Sequence, residues 1–170
     1  MSANSVKLGM GQMLVEGGQL DDNLRRAERM IREAASLECQ IILLPECLDV
    51  GWTHPSARQL AQPIPGDISD ALCQPAADAG IHIVAGLTER DGDRVFNTAV
   101  LISDEGKILL KHRKINILDI AQDLYAIGDR LSVAQTSLGT IGVNICADNF
   151  PDSLALGHAL ARMGAAKPAA

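Results

Sequence analysis

The chain has 170 residues, 47% hydrophobic and 21% charged, a balance that suits a soluble globular protein with one core. A formal net charge of −6 and a sequence pI near 5.1 argue against nucleic acid as a partner, and the four aromatic residues offer little stacking surface. No apolar run reaches the ~18 residues that span a bilayer, and Met1–Lys7 lacks the basic start and apolar stretch of a secretion signal.

A cytoplasmic, reducing setting is therefore expected, with no membrane contact. Cys39, Cys47, Cys73 and Cys146 form no C-x-x-C pair and have no histidine at finger-like spacing. Neither a structural metal nor disulfides are expected.

In chain order, Val6 to Val15 reads as a first strand bounded by Gly17-Gly18. An amphipathic helix follows, with Leu20, Leu24, Ala27, Ile31 and Ala34 on one stripe. Asp21, Asp22 and Asn23 supply its cap and first turn. Ile41 to Leu44 is a short strand ended by Pro45, read as buried on both faces. Residues 48–66 are mostly loop. A second helix spans Ile68 to Ala79, with Pro75 placed to kink it. Ile81 to Leu87 alternates as a strand, and two hairpin turns lead through Val95–Ile102 to Lys107–Lys111. Leu131–Ala134 and Thr140–Ile145 form a further pair. A last helix opens at Phe150-Pro151-Asp152, with Leu156, Leu160 and Met163 as its stripe. This order indicates a layered α/β domain with mixed strand pairing over residues 1–165, and 166–170 as a disordered tail.

Three stretches end apolar runs in reactive side chains: Leu43-Leu44-Pro45-Glu46, His112-Arg113-Lys114 and Asn144-Ile145-Cys146-Ala147-Asp148. A strand that stops at such a residue delivers it to the sheet edge, where α/β proteins bind ligands. A carboxylate, an ammonium and a thiol brought together there suit acyl transfer. Each has a plainer reading. Buried cysteines are more often packing residues, though a strand-to-helix position favours the thiolate at Cys146. Glu46 could close a strand at the surface, and Lys111–Lys114 reads on its own as a solvated basic edge. Gly9-Met10-Gly11 lacks the third glycine of a dinucleotide fingerprint, no G-x-S-x-G is present, and the four histidines lack metal-ligand spacing.

Taken in this order, the three stretches resemble the nitrilase superfamily of carbon–nitrogen hydrolases. Phe96-Asn97-Thr98-Ala99-Val100 and Tyr125–Gly128 are similar to family signatures too, so the resemblance runs from Lys7 to the helix after Cys146. It implies an αββα four-layer sandwich, frequent homo-oligomerisation, and a Cys146–Glu46–Lys114 triad without metal or organic cofactor. The implied chemistry is hydrolysis of a small amide, carbamoyl or nitrile substrate through a thioester, amidase-type rather than nitrile-specific. Cys146 attacks, Glu46 moves protons, and Lys114 stabilises the oxyanion.

Two departures from the family pattern stand out. The place of a second family glutamate falls on Ala121; Ile117 is apolar too, and neither Asp119 nor Asp123 takes the role. Family domains also continue beyond the helix after the cysteine, so 1–165 resembles only the N-terminal part of the sandwich. Two rival readings follow: a truncated, catalytically silent member that associates with a partner chain, and a thiol redox sensor built on Cys146.

Overall fold

The computed structural model describes residues 5–165; the tail at 166–170 lies outside them. Strand β1 (Leu8–Met10) leads through helix α1 (Leu20–Ser36) to β2 (Ile41–Leu43). The short helix α2 (Ala57–Leu60) and α3 (Asp67–Ala79) then precede β3 (His82–Asp91). β4 (Arg94–Ile102) and β5 (Ile108–Arg113) follow as hairpins. These strands form one sheet in the order β1-β2-β3-β4-β5, parallel from β1 to β3 and antiparallel from β3 to β5. The parallel half follows from the helices that carry the chain back between strands.

Alternation along the strands divides the core. Ile83, Ala85 and Leu87 of β3 and Val100 and Ile102 of β4 face α1 and α3, meeting Ala27, Ile31, Leu72 and Ala76. Ala99, Leu101 and Leu110 face the other way, against a second, two-stranded sheet of β6 (Val133–Thr136) and β7 (Gly139–Gly142), with Val143 and Ile145 beyond it. Helix α4 (Leu154–Arg162) lies on the outer side of that hairpin, where a side chain on Gly142 would press on Leu160. The layers are thus helix, sheet, sheet and helix, the α/β sandwich expected from the sequence.

Several elements differ from the expectation. β1 spans three residues rather than ten, because only Leu8 to Met10 ladders onto β2. α3 runs through Pro75, which is buried inside it. β7 ends at Gly142 and Val143–Ile145 leave the ladder. β2 is not buried on both faces: Leu43 is 40% exposed, and its neighbours on that face, Leu8 and Met10, are 49% and 81% exposed. The small hairpin leaves this corner of the sheet uncovered. No helix among the described residues is long and apolar enough to cross a membrane.

Candidate active site

Beyond β2 the chain stays on β3. Leu44 N–H donates to Val84 O at 2.8 Å, Gly86 N–H to Pro45 O at 3.1 Å, and Leu48 N–H to Gly86 O at 2.8 Å. This close approach requires glycine at position 86, since a Cβ there would lie 2.6 Å from Glu46 Cα and 2.8 Å from Cys47 N. The turn is pinned from below by Asp49, which is fully buried. The Asp49 carboxylate accepts from Thr88 N at 2.7 Å, Thr88 Oγ1 at 3.1 Å and Val50 N at 2.9 Å. Burial raises the Asp49 pKa despite these bonds. Asn23 Nδ2 donates to Asp49 O at 2.9 Å, so this residue ties α1 to the Glu46 turn rather than only opening a helix.

Glu46 is thereby held at the end of β2 with its side chain 23% exposed. Lys114 Nζ donates to Glu46 Oε1 at 2.7 Å, and Asn97 Nδ2 donates to the same oxygen at 2.6 Å. Oε2 carries no hydrogen bond from the described residues. Lys114 is 1% exposed and its N–H donates to Asn97 O at 2.8 Å, which continues the β4–β5 ladder by one residue.

The expected basic edge at Lys111–Lys114 is a packed, two-faced strand end. Lys111 and Arg113 point to the helix side, where both donate to the buried Glu89 carboxylate at 2.6 Å and Arg113 lies over the Phe96 ring. Burial alone would raise Glu89, but bonds from Arg113, Lys111 and Thr98 outweigh it and hold the carboxyl below its usual range. His112 and Lys114 point to the opposite face, toward Asp148 and Glu46. Strand alternation thus sorts four adjacent basic residues into two buried networks.

Cys146 opens a short 3-10 turn, Cys146–Asn149, and is the exposed cysteine of the four. Its φ of +42° lies in the left-handed region, which costs a non-glycine residue about 1–3 kcal/mol. Cys146 makes no hydrogen bond with Glu46 or Lys114 among the described residues. It is tied to Lys114 through Asp148, whose carboxylate accepts from Ile115 N at 3.2 Å and Asn116 N at 2.8 Å, the two residues after Lys114. Cys47 differs sharply: it is buried, 3.6 Å from Tyr125 Oη, and burial aided by the Asp49 charge pushes its thiol up to about 12.

The structure joins Glu46 and Lys114 directly, while Asp148 links only chain neighbours, Ile145 before Cys146 and Ile115 and Asn116 after Lys114. Sequence reasoning gave no separate role to Asn97 and Asp148, which bond the Glu46 carboxylate and the Cys146 turn. The available signal was an amide inside the apolar run Val95–Ile102 and a carboxylate two residues past the thiol. A cleft of about 460 Å³ lined by Val15, Trp52, Thr53, His54 and Glu46 opens beside the carboxylate. A second, of about 310 Å³, is lined by Asn116, Ile117, Ala147 and Phe150. Among the described residues no cluster of three histidine, cysteine or acidic side chains is placed to hold a metal.

Comparison with known proteins places the chain in a family. An omega-amidase of Xenopus laevis, NIT2-A, is 35% identical over 152 residues, covering 84% of this chain and 55% of its own length. A nitrilase of Pyrococcus abyssi is 36% identical over 155 residues, covering 87% and 58%. The chain thus spans a little over half the length of these relatives. In fold, it is similar to Saccharomyces cerevisiae Nit3, a nitrilase-superfamily member, with a TM-score of 0.83, 27% identity and 94% and 61% coverage. The NitN amidase of Nesterenkonia sp. AN1 gives 0.84 at 20% identity, with 95% and 64% coverage. The carbon–nitrogen hydrolase family model matches residues 7–166, and with it the chain belongs to that family, within the nitrilase superfamily.

Proposed function

We propose that this chain carries the catalytic centre of an amidase-type hydrolase, with Cys146 as nucleophile, Glu46 as proton carrier and Lys114 as oxyanion donor. The observation that carries the reading is the state of Glu46: Oε1 is taken up by Lys114 and Asn97, while Oε2 accepts no hydrogen bond from the described residues. A carboxylate fixed through one oxygen presents the other in a defined direction, as general acid–base work requires.

In the proposed cycle the Cys146 sulfur attacks the amide carbon as Glu46 Oε2 accepts the thiol proton. The carbonyl oxygen gains negative charge, which the Lys114 ammonium stabilises. The C–N bond then breaks, and Glu46 returns its proton to the departing ammonia or amine. A thioester remains on Cys146. Water attacks it, Glu46 takes the water proton, and the carboxylic acid leaves as the thiol is restored.

Support for the amidase class comes from the omega-amidase and nitrilase relatives. A small neutral amide is the fitting substrate class, since among the described residues the cleft beside Glu46 is lined by Val15, Trp52, Thr53 and His54 and by no lysine or arginine. The test is incubation with simple primary amides, an acid quench, and mass spectrometry of the Cys146 peptide with parallel ammonia assay. One acyl group per chain on Cys146 with matching ammonia release is expected. Oxidation of Cys146 by peroxide with no acyl transfer from any amide would replace this reading with the redox one.

A further inference from the structure

Asp148 is fully buried, and its two carboxylate oxygens serve two different segments. Oδ1 accepts from the N–H groups of Ile115 and Asn116, at 3.2 and 2.8 Å, and from Asn116 Nδ2 at 3.3 Å. Oδ2 accepts from Ile145 N at 3.2 Å and from His112 Nε2 at 2.9 Å. Asp148 N–H also donates to Ile145 O at 2.9 Å. Both backbone polar groups of Ile145 are therefore bound to Asp148, which closes a ring around Cys146 and Ala147. One oxygen holds the thiol turn; the other holds the residues just past Lys114.

We propose that Asp148 is a positioning residue that locks the strained Cys146 turn against the strand end carrying Lys114. His112 reaches the same carboxylate from the sheet. The backbone at Cys146 sits in the left-handed region without a glycine, a conformation that persists only where surrounding bonds over-determine it. The ring through Ile145 and Asp148 does so. A carboxylate suits the task because it offers about four acceptor sites and no donor. Burial would raise Asp148, but bonds from His112, Asn116 and Ile145 hold it below the usual carboxylate range, so it stays an acceptor on both sides.

This proposal rests on Cys146 and Lys114 acting together as described above. Asp148→Asn is the informative variant, because its carboxamide keeps the shape and turns one of the two oxygens into a donor facing N–H groups. Amide hydrogen exchange is expected to quicken about tenfold or more at Ile145, Ile115 or Asn116 while β3 and β4 keep their protection. In acylation by a primary amide, the rate constant at saturation is expected to fall about 10²-fold with little change in the half-saturating concentration, as for a misplaced reacting group. His112→Gln, which leaves every backbone donor in place, keeps the test open if Asp148→Asn does not fold; it should show the same pattern more weakly. Unchanged exchange at all three amides in a folded variant would overturn the proposal. Exchange needs no turnover, so a wild-type chain without acyl transfer would defeat the functional reading and leave the lock to stand or fall on its own.

Discussion

Lys114 and Glu46 are 68 residues apart in sequence and 2.7 Å apart at Nζ and Oε1, with the lysine 1% exposed. A buried ammonium with one carboxylate partner depends on that carboxylate, and the carboxylate depends on the lysine for its aim. In Glu46→Gln the amide oxygen can still face Lys114 and Asn97, while the proposed proton carrier is gone. Acylation of Cys146 is expected to slow by about 10²- to 10⁴-fold. Lys114→Ala removes the proposed oxyanion donor and should cost about 10²- to 10³-fold. Quench-flow mass spectrometry reads both, and acylation at the wild-type rate in either variant would remove that residue from the chemistry.

Thiol reactivity should follow the four environments. Cys146 is exposed, Cys39 and Cys73 are half-buried, and Cys47 is buried with its pKa pushed up to about 12. Limiting iodoacetamide at neutral pH should label Cys146 first and Cys47 last. Peptide mapping that finds Cys39 or Cys73 labelled ahead of Cys146 contradicts the assignment.

Glu89 is 2% exposed at its side chain and receives Arg113, Lys111 and Thr98 together. Glu89→Ala leaves two cations on the helix side of the sheet without their shared counter-charge. The expected destabilisation is about 3 kcal/mol, read from the denaturant midpoint at constant slope. A loss below about 1 kcal/mol would mean that solvent takes over the role of the carboxylate.

Acid should weaken the fold through Glu89 and Asp148. Both are held below their ordinary values, so their contribution is complete above the unfolded-chain pKa values of about 4.3 and 3.9 and is lost as pH falls through the lower folded values. Asp49, raised by burial, works in the opposite direction, because its protonation relieves a buried charge. The two lowered groups should prevail, giving a denaturant midpoint that falls steeply below about pH 4. A midpoint that stays level to pH 3 would show that the pair contributes nothing.

The uncovered corner of the sheet predicts association. Leu8 and Met10 of β1, an edge strand of only three residues, form an apolar patch with Leu43 of β2. The isolated chain is expected to sediment as an oligomer or aggregate with low amide turnover, and Met10→Lys should shift it toward smaller species. A monodisperse monomer with full turnover would show that this surface needs no cover.

Much of the arrangement is legible in the sequence, because period-two alternation in Ile83-Val84-Ala85 and the stripe of α1 report directly which side faces a core. The positions of Glu46 and Lys114 just past β2 and β5 follow from the same pattern, whereas Cys146 lies four residues beyond the end of β7. What local pattern cannot carry is partnership across the sheet. Lys111 to Lys114 have the composition of a wet edge, and only register with Thr98, Ala99 and Asn97 shows that two face Glu89 and two face the thiol side. Asn97 and Asp148 were hidden for that reason: each acts on a residue at least 32 positions away. The β1 and β7 boundaries were also overrun, since apolar residues extend past the last ladder bond.

Gly86 sits in the middle of β3, where a side chain would ordinarily strengthen the strand. Its missing Cβ makes room for the backbone of Pro45, Glu46 and Cys47. In a saturation library this position should therefore tolerate nothing else, alanine included. Gly157, in α4 with open space around it, should behave in the opposite way and accept alanine freely. Two glycines in regular structure would then mark the extremes of mutational tolerance in one chain, separated by whether a neighbouring backbone occupies the space of a single methyl group.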